Sequence, residues 1–178
     1  TLNFTGTNRA FNTFGVTGGS VAQSTGATTA TEFMVGTGTG TSGSFVLNGG
    51  SITINPTLDG SGNLVTVGSL RTGDYGGTGT FTQNNGTGTT SSGAAFHIGN
   101  QGGTGVYNLN GGTLTLVGND NVLGRSTGSN PQSTGTLNIA GGSFQLQGAG
   151  LLILGNNASG AAAGTGTINQ TAGTVTVA

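Results

Sequence analysis

The sequence is built from one short unit that recurs along most of the chain. A clear copy runs from Gly105 to Gly124 and holds two short strands of alternating apolar and polar residues, an Asn-Gly-Gly corner between them, and a third apolar segment closed by a glycine. Strict alternation is typical of half-buried β-strands. Glycine and asparagine accept the positive φ angles of tight corners. The unit therefore predicts one coil of a stacked repeat structure.

The large residue that leads each first strand defines the repeat. Five steps separate Phe14 from Ile168, so the unit is roughly 31 residues long, within the range typical of solenoids and propellers. We predict an all-β fold, a parallel β-helix (β-solenoid) of about six three-stranded coils, forming a single domain over residues 1–178 with repeats over 12–178. In this layout the leading residues form one interior stack: Phe14, Phe45, Phe81, Tyr107, Leu137 and Ile168.

A barrel of hairpins or a propeller is the competing layout, because Asn-Gly-Gly corners also occur in β-hairpins. A propeller blade usually needs four strands in about 40 residues. The units here are shorter and offer three strands, which favours the solenoid.

The scarcity of charge excludes several functions. Charged residues make up 4% of the chain, with three arginines, no lysine and one histidine, and cysteine is absent. Three scattered arginines cannot neutralise a phosphate backbone, so we expect no nucleic-acid partner. No apolar run approaches the roughly 18 residues of a membrane helix, so we expect no membrane insertion. A surface of Thr, Ser, Asn and Gly has little to repel a copy of itself, which favours self-association.

The ionisable residues offer few candidate sites. His97 lies between Phe96 and Ile98, so alternation predicts a surface position for it. Asp74 and Asp120 fall in different loops of different units, so we expect neither a catalytic carboxylate pair nor an enzyme.

We predict no cofactor, although calcium is possible at Asp59 and Asn63. The segment Asp-Gly-Ser-Gly-Asn places oxygen ligands at alternate positions, as the start of a calcium loop does. The later acidic ligand of such a loop is missing, and a turn between strands explains the segment equally well.

The two ends of the chain predict an assembly interface. Residues 1–6 have the form of a third strand, and residues 174–178 form a second strand with no third strand after it. Uncapped strands invite pairing with another chain, and a head-to-tail contact that does not close makes a filament. We predict that residues 1–6 complete the last coil of a neighbouring copy, although an excerpt from a longer array would show the same ends. The predicted interface residues are Leu2, Phe4, Ile168, Val175 and Val177.

Three segments carry a resemblance to a known family. They are Gly-Thr-Phe-Thr-Gln-Asn-Asn-Gly-Thr at 79–87, Gly-Val-Tyr-Asn-Leu-Asn-Gly-Gly-Thr-Leu-Thr-Leu at 105–116 and Gly-Thr-Ile-Asn-Gln-Thr-Ala-Gly-Thr-Val at 166–175. This pattern resembles the autotransporter-associated β-strand repeats and related Gly/Thr/Asn-rich repeats of bacterial surface proteins. The resemblance implies a secreted or cell-surface β-solenoid without catalytic residues.

Together these patterns predict a structural subunit of an extracellular filament, assembled head to tail by β-strand augmentation between copies. The alternative is a surface adhesin that binds a glycan or a host surface along its side, for which Tyr75 is the only aromatic residue clearly in a loop. A more remote alternative is an ice-binding solenoid. That alternative rests on Thr-x-Thr runs, the best of which are interpreted as Gly-Thr-Gly loops, and on a column at positions 53, 89, 115, 145 and 176 that reads Thr, Thr, Thr, Gln, Thr.

Overall fold

The computed structural model describes residues 1–118, 120–128, 131–148, 150–158 and 162–178. In these residues the chain forms twenty β-strands and no helix. The strands are β1 (Leu2–Phe4), β2 (Arg9–Val16), β3 (Gly18–Gln23), β4 (Ala27–Thr37), β5 (Ser42–Leu47), β6 (Ser51–Ile54), β7 (Thr57–Leu58), β8 (Leu64–Thr66), β9 (Gly68–Asp74), β10 (Thr78–Gln83), β11 (Thr87–Thr90), β12 (Ala94–Asn100), β13 (Thr104–Leu109), β14 (Thr113–Leu116), β15 (Asp120–Thr127), β16 (Thr134–Ile139), β17 (Ser143–Leu146), β18 (Leu152–Ala158), β19 (Thr165–Gln170) and β20 (Thr174–Val177).

Two large parallel sheets contain all the strands except β7 and β8. The smaller sheet has the order β1-β3-β5-β10-β13-β16-β19. The larger sheet has the order β18-β15-β12-β9-β4-β6-β11-β14-β17-β20, and β2 also pairs with β4. The all-β, parallel character predicted from the sequence is confirmed, and the topology is consistent with a β-solenoid. The Asn-Gly-Gly corners link strands of different sheets, so the layout is not a barrel of hairpins.

The predicted alternation places the apolar side chains inside. In β14, Leu114 and Leu116 are buried while Thr113 and Thr115 are partly exposed. The same residues of successive strands lie in register, for example Phe45 beside Phe81 and Phe81 beside Tyr107. Each inward position therefore becomes a column of side chains that runs from strand to strand through the interior.

Rings from both sheets meet along this interior. Phe81 stacks on Tyr107 with ring centroids 4.7 Å apart and an interplanar angle of 5°. Phe33, from the larger sheet, meets Phe45 edge to face at 5.0 Å. Aromatic pairs at such separations add to the stabilisation that burial alone provides.

The N-terminal residues differ from the predicted alignment. Phe14 lies in register with Phe33 of the larger sheet, and Val21 occupies the position beside Phe45. The sequence pattern agrees with this register, because Gly19 precedes Val21 as Gly43 precedes Phe45, whereas the residue two before Phe14 is Asn12. The column therefore contains Leu2, Val21, Phe45, Phe81, Tyr107, Leu137 and Ile168.

The predicted role of residues 1–6 as a third strand is wrong. β1 pairs with β3, with Leu2 beside Val21 and Phe4 beside Gln23, so it belongs to the smaller sheet that contains the first strands. The second and third strands at this end are both supplied by β2, which pairs with β4 from Thr28 to Val35.

Two columns of glycine bring the sheets into contact. Members of one column lie within strands of the larger sheet with φ between 67° and 72°: Gly36, Gly73, Gly99, Gly124 and Gly155. Members of the other lie near the starts of strands of the smaller sheet: Gly43, Gly79, Gly105, Gly135 and Gly166. A Cβ on Gly105 would overlap the carbonyl oxygen of Thr72 and would lie 2.5 Å from the Gly99 amide nitrogen. The contact is therefore between backbones and leaves no room for a side chain.

A buried glutamine network explains the polar residues at inward positions. The Gln83 amide donates to the carbonyl oxygens of Gly86 and Thr113 at 3.1 and 2.9 Å, and its Oε1 accepts from the Tyr107 hydroxyl at 2.6 Å. Gly88 makes room, because a Cβ there would meet both the Gln83 and Tyr107 oxygens at 3.3 Å. Burial raises the pKa of Tyr107, so its hydroxyl stays protonated and remains a donor.

We expect Gln83 and Tyr107 to be energetically coupled. Tyr107→Phe removes the donor to a buried amide oxygen, which costs about 1–3 kcal/mol of unfolding free energy. Gln83→Leu places at this position the side chain that Leu47 and Leu109 supply in the neighbouring strands. The double variant should lose less stability than the sum of the single variants, by about 0.5–3 kcal/mol in urea denaturation. Strictly additive losses would contradict the network.

Candidate functional site

The strands β19 and β20 present an apolar surface. Ile168, Val175 and Val177 are 36%, 44% and 72% exposed, although their counterparts in the preceding strands, such as Leu137, Phe144 and Leu146, are buried. In the described chain each of these two strands has a hydrogen-bonded neighbour on one edge only. The surface therefore combines uncovered side chains with free backbone donors and acceptors.

The opposite surface, formed by β1 and β2, is more polar. Leu2 is 55% exposed, but Phe4 is nearly buried because the Arg9 guanidinium lies 4.4 Å from its ring centroid. Arg9 also donates to the carbonyl oxygens of Thr7 and Thr5 at 2.9 and 3.3 Å. From the sequence, no charged residue was identified that would cap an open end of the solenoid. In the structure Arg9 partly caps this end, because it lies at an inward position in register with Thr28.

The structure brings the predicted interface residues into two groups. Leu2 and Phe4 lie on the surface of β1, and Ile168, Val175 and Val177 lie on the surface of β19 and β20. β1 and β19 are the two edge strands of the smaller sheet, and β20 is an edge strand of the larger sheet, so the two groups can meet only between different copies.

Six of the eight Arg, Asp, Glu and His residues of the chain lie together on one face of the larger sheet, a feature that sequence reasoning missed. This charged strip crosses β4, β9, β12 and β15, which are neighbours in the sheet. Its members are Glu32, Arg71, Asp74, His97, Asp120 and Arg125.

Asp74 anchors one half of the charged strip. Its side chain is fully buried and lies 3.2 Å from the Arg71 guanidinium. The carboxylate also accepts hydrogen bonds from the Asn100 amide at 2.8 Å and from the Tyr75 backbone at 3.0 Å. Glu32 is 3.6 Å from Arg71 and more exposed. These contacts tie β9 to both of its neighbours in the sheet.

His97 is the centre of the other half, and its predicted surface position is wrong. The residue is 3% exposed, and Arg71 and Val122 flank it in register. Its Nε2 lies 3.1 Å from Asp120 Oδ2 and 3.3 Å from the Arg125 guanidinium. The hydrogen bond with His97, aided by the charges of His97 and Arg125, holds the pKa of Asp120 below its ordinary value despite partial burial.

The carboxylates of the charged strip all have partners within the strip. Asp120 and Arg125 are 3.4 Å apart, so each carboxylate of the strip has a cationic or imidazole partner. Asp74 and Asp120, expected in separate loops, lie on strands that both border β12. No three His, Asp or Glu side chains within the described residues are grouped so as to hold a metal ion. The contacts of these side chains join four neighbouring strands of the larger sheet.

An inserted hairpin hid the strip from sequence reasoning. The segment Val65-Thr-Val67 predicts a third strand closed by Gly68, but β7 and β8 form an antiparallel hairpin just before that glycine, and Gly73 fills the glycine column. Alignment on Gly73, Gly99 and Gly124 would have found the signal. Arg71 and His97 lie two residues before their glycines, and Asp74, Asn100 and Arg125 each follow one.

The candidate calcium residues close the hairpin turn. Asp59 Oδ1 accepts from the backbone amides of Ser61 and Asn63 at 2.9 and 2.8 Å, and Oδ2 accepts from the Asn63 side chain at 3.1 Å. These bonds, led by the backbone amide of Asn63, lower the pKa of Asp59. Both carboxylate oxygens are thus engaged within the turn.

The threonine column is in register on the outer side of the larger sheet. Thr53, Thr89 and Thr115 lie beside one another, followed by Gln145 and Thr176. The Thr-Gly-Thr segments at 78–80 and 165–167, interpreted as loops, begin strands β10 and β19.

Comparison with protein-family models, curated proteins and solved structures finds no match to this chain. The described part of the chain has no helix with the length and apolar character that crossing a membrane requires.

Proposed function

We propose that the chain is a structural subunit of an extracellular filament, in which copies stack head to tail by β-strand pairing. Each copy contributes a solenoid of about six three-stranded coils of roughly 31 residues. The observation that carries the proposal is the apolar, unpaired surface of β19 and β20. Unpaired strand edges with uncovered apolar side chains are templates for pairing with another chain.

The strand register defines which residues would meet. An incoming β1 would pair with β19, which brings Leu2 over Ile168 in the same interior column. An incoming β2 would pair with β20, which brings Phe11 over Val177. This joint differs from the one predicted from the sequence, in which residues 1–6 acted as a third strand, because β1 belongs with the first strands.

Gln170 supports the same joint. Gln23 and Gln83 each donate to a carbonyl in their own corner and to a second carbonyl one strand further along the larger sheet. Gln170 donates at 3.3 Å to the carbonyl of Gly173 in its own corner. In a stacked pair, the Asn8 backbone of the incoming copy takes the place of the second acceptor for Gln170. Asn8 has this position because it directly precedes Arg9, which lies in register with Thr28.

The low charge of the chain favours stacking over repulsion. Apart from Arg9, the β1–β2 and β19–β20 surfaces carry no charged side chain. The extracellular location is part of the proposal and rests on the composition and on the resemblance to surface repeats.

We expect Val177→Asp to abolish stacking, because it places an unpaired charge beneath Phe11 of the incoming copy, on the surface that this copy must cover without water. Thr176→Asp is the matched control, since Thr176 is on the same strand in the outward column with Gln145. Sedimentation velocity should show a mass that grows with concentration for the wild type and for Thr176→Asp, and monomers for Val177→Asp. Equal assembly by all three proteins would exclude this surface as the joint.

A further inference from the structure

Two side chains hold a backbone conformation that ordinary residues avoid. Tyr75 and Gln101 have φ of 50° and 47°, and they are the non-glycine residues with positive φ in the described chain. Each is the second residue of a tight turn, closed by the Gly77 amide on the Asp74 carbonyl at 3.0 Å and by the Gly103 amide on the Asn100 carbonyl at 2.9 Å. The third residue of each turn is a glycine with positive φ, which is the geometry of a type I′ turn.

The fold alone does not explain these two residues. Glycine and asparagine fill the second position of a type I′ turn at the lowest cost. The chain has 40 glycines. At the preceding corner, the residue paired with Asp74 is followed by one of them, Gly38, which has a φ of 102°. Residues held in sparsely populated conformations cluster at ligand sites, where the side chain they present is what matters.

The two side chains line one groove. Its volume is about 360 Å³, and its walls are formed by Thr39, Tyr75, Gly76, Gln101, Gly102 and Pro131. Tyr75 is 49% exposed, and it is the aromatic residue among the exposed large apolar residues of the described chain. None of the described residues that line the groove is charged, and the nearby Asp74 and Arg71 are paired with each other.

We propose that this groove binds a neutral saccharide. The apolar C–H face of a sugar ring packs on the exposed Tyr75 ring, since an aromatic face offers apolar area and a negative quadrupole. The Gln101 amide supplies both donors and an acceptor for sugar hydroxyls. The tyrosine hydroxyl gives a further polar group at the edge of the same platform. The absence of charge from the walls selects a neutral ligand over an acidic one.

Affinity electrophoresis tests the proposal with three probes: native gels that contain an α-glucan, a β-glucan or a mannan. We expect at least one neutral polysaccharide to retard the wild type. Tyr75→Asn should weaken the retardation at least tenfold, and Ser44→Ala, on the smaller sheet away from the groove, should leave it unchanged. No retardation in any of the three gels, or equal retardation of wild type and Tyr75→Asn, would overturn the proposal. Retardation only by an acidic polysaccharide would overturn it as well.

Tyrosine fluorescence gives an independent readout. The chain has no tryptophan, and its second tyrosine, Tyr107, is fully buried, so a saccharide in the groove should change the emission of Tyr75 alone. We expect a saturable change with oligosaccharides of the retarding type in the wild type and none in Tyr75→Asn. Because asparagine fits the left-handed position, that variant should also melt a few degrees higher than the wild type. A lower melting temperature would overturn the inference that Tyr75 is strained.

Discussion

Gly105→Ala should unfold the chain or lower its free energy of unfolding by about 4 kcal/mol or more. The added methyl group would overlap the carbonyl oxygen of Thr72 and crowd the amide nitrogen of Gly99. Both obstacles are backbone groups held in parallel ladders on either side, so neither can rotate away as a side chain would. Relief of the clash requires the two sheets to separate at this point.

Gly18→Ala is the matched control for this prediction. Gly18 also lies in a strand of the smaller sheet, but a Cβ there would meet no atom within 4 Å. Alanine should be neutral or stabilise by about 0.5–1 kcal/mol, because glycine loses more chain entropy on folding. Urea denaturation measures both variants. A cost below about 1 kcal/mol for Gly105→Ala would show that the sheets are not in backbone contact there.

Asp74→Ala should be the second most damaging change, with a loss of about 3–5 kcal/mol of unfolding free energy. The substitution removes a fully buried carboxylate that serves three partners at once. The Arg71 guanidinium loses its nearest counter-ion, and the Asn100 amide and the Tyr75 backbone lose their acceptor. Buried donors without acceptors carry the full cost of desolvation.

Glu32→Ala is the control, because Glu32 contacts the same arginine from a more exposed position at 3.6 Å. A surface ion pair of this kind contributes about 0–1 kcal/mol. Thermal and urea denaturation should therefore show a loss of unfolding free energy that is several times larger for Asp74→Ala than for Glu32→Ala. Similar losses for both would mean that the charged strip acts through general electrostatics rather than through the buried contacts of Asp74.

The fold was predictable because the repeat is visible in the sequence as alternation. Leu114, Leu116 and Phe45 are inward in the structure because apolar and polar residues alternate strictly around them. Corners at Asn48–Gly50 and Asn110–Gly112 were readable for a similar reason, since Gly50 and Gly112 have φ of 79° and 75°. Wherever the repeat is regular, the residue pattern within one unit was sufficient to predict its strands and corners.

The errors came from places where local patterns have two solutions. Phe14-Gly-Val16 fits a first strand by composition, but in the structure Gly19 and Val21 lie beside Gly43 and Phe45 of the next first strand. The hairpin before Gly68 shifted the third strand of its unit. Such choices depend on which backbones touch across the interior, and a single repeat does not contain that information.

The candidate sites depended on the same long-range register. Alternation correctly turns His97 away from the apolar interior, but the residue is buried by Asp120 and Arg125, which come from the next strand of the sheet. Arg9 lies over Phe4 although its own strand, β2, pairs only within the larger sheet. Both contacts depend on which strands lie next to each other in the stack. The composition therefore gives the number of charged residues but not their positions in the fold.

Negative-stain electron microscopy of the purified chain, combined with X-ray diffraction of aligned samples, tests the proposed stacking most directly. We predict unbranched fibres with a reflection at about 4.8 Å along the fibre axis, because strands that pair between copies continue the spacing of strands within each copy. Fibres should be absent for Val177→Asp and present for Thr176→Asp. Dispersed single particles of the wild type at every concentration would contradict the proposal.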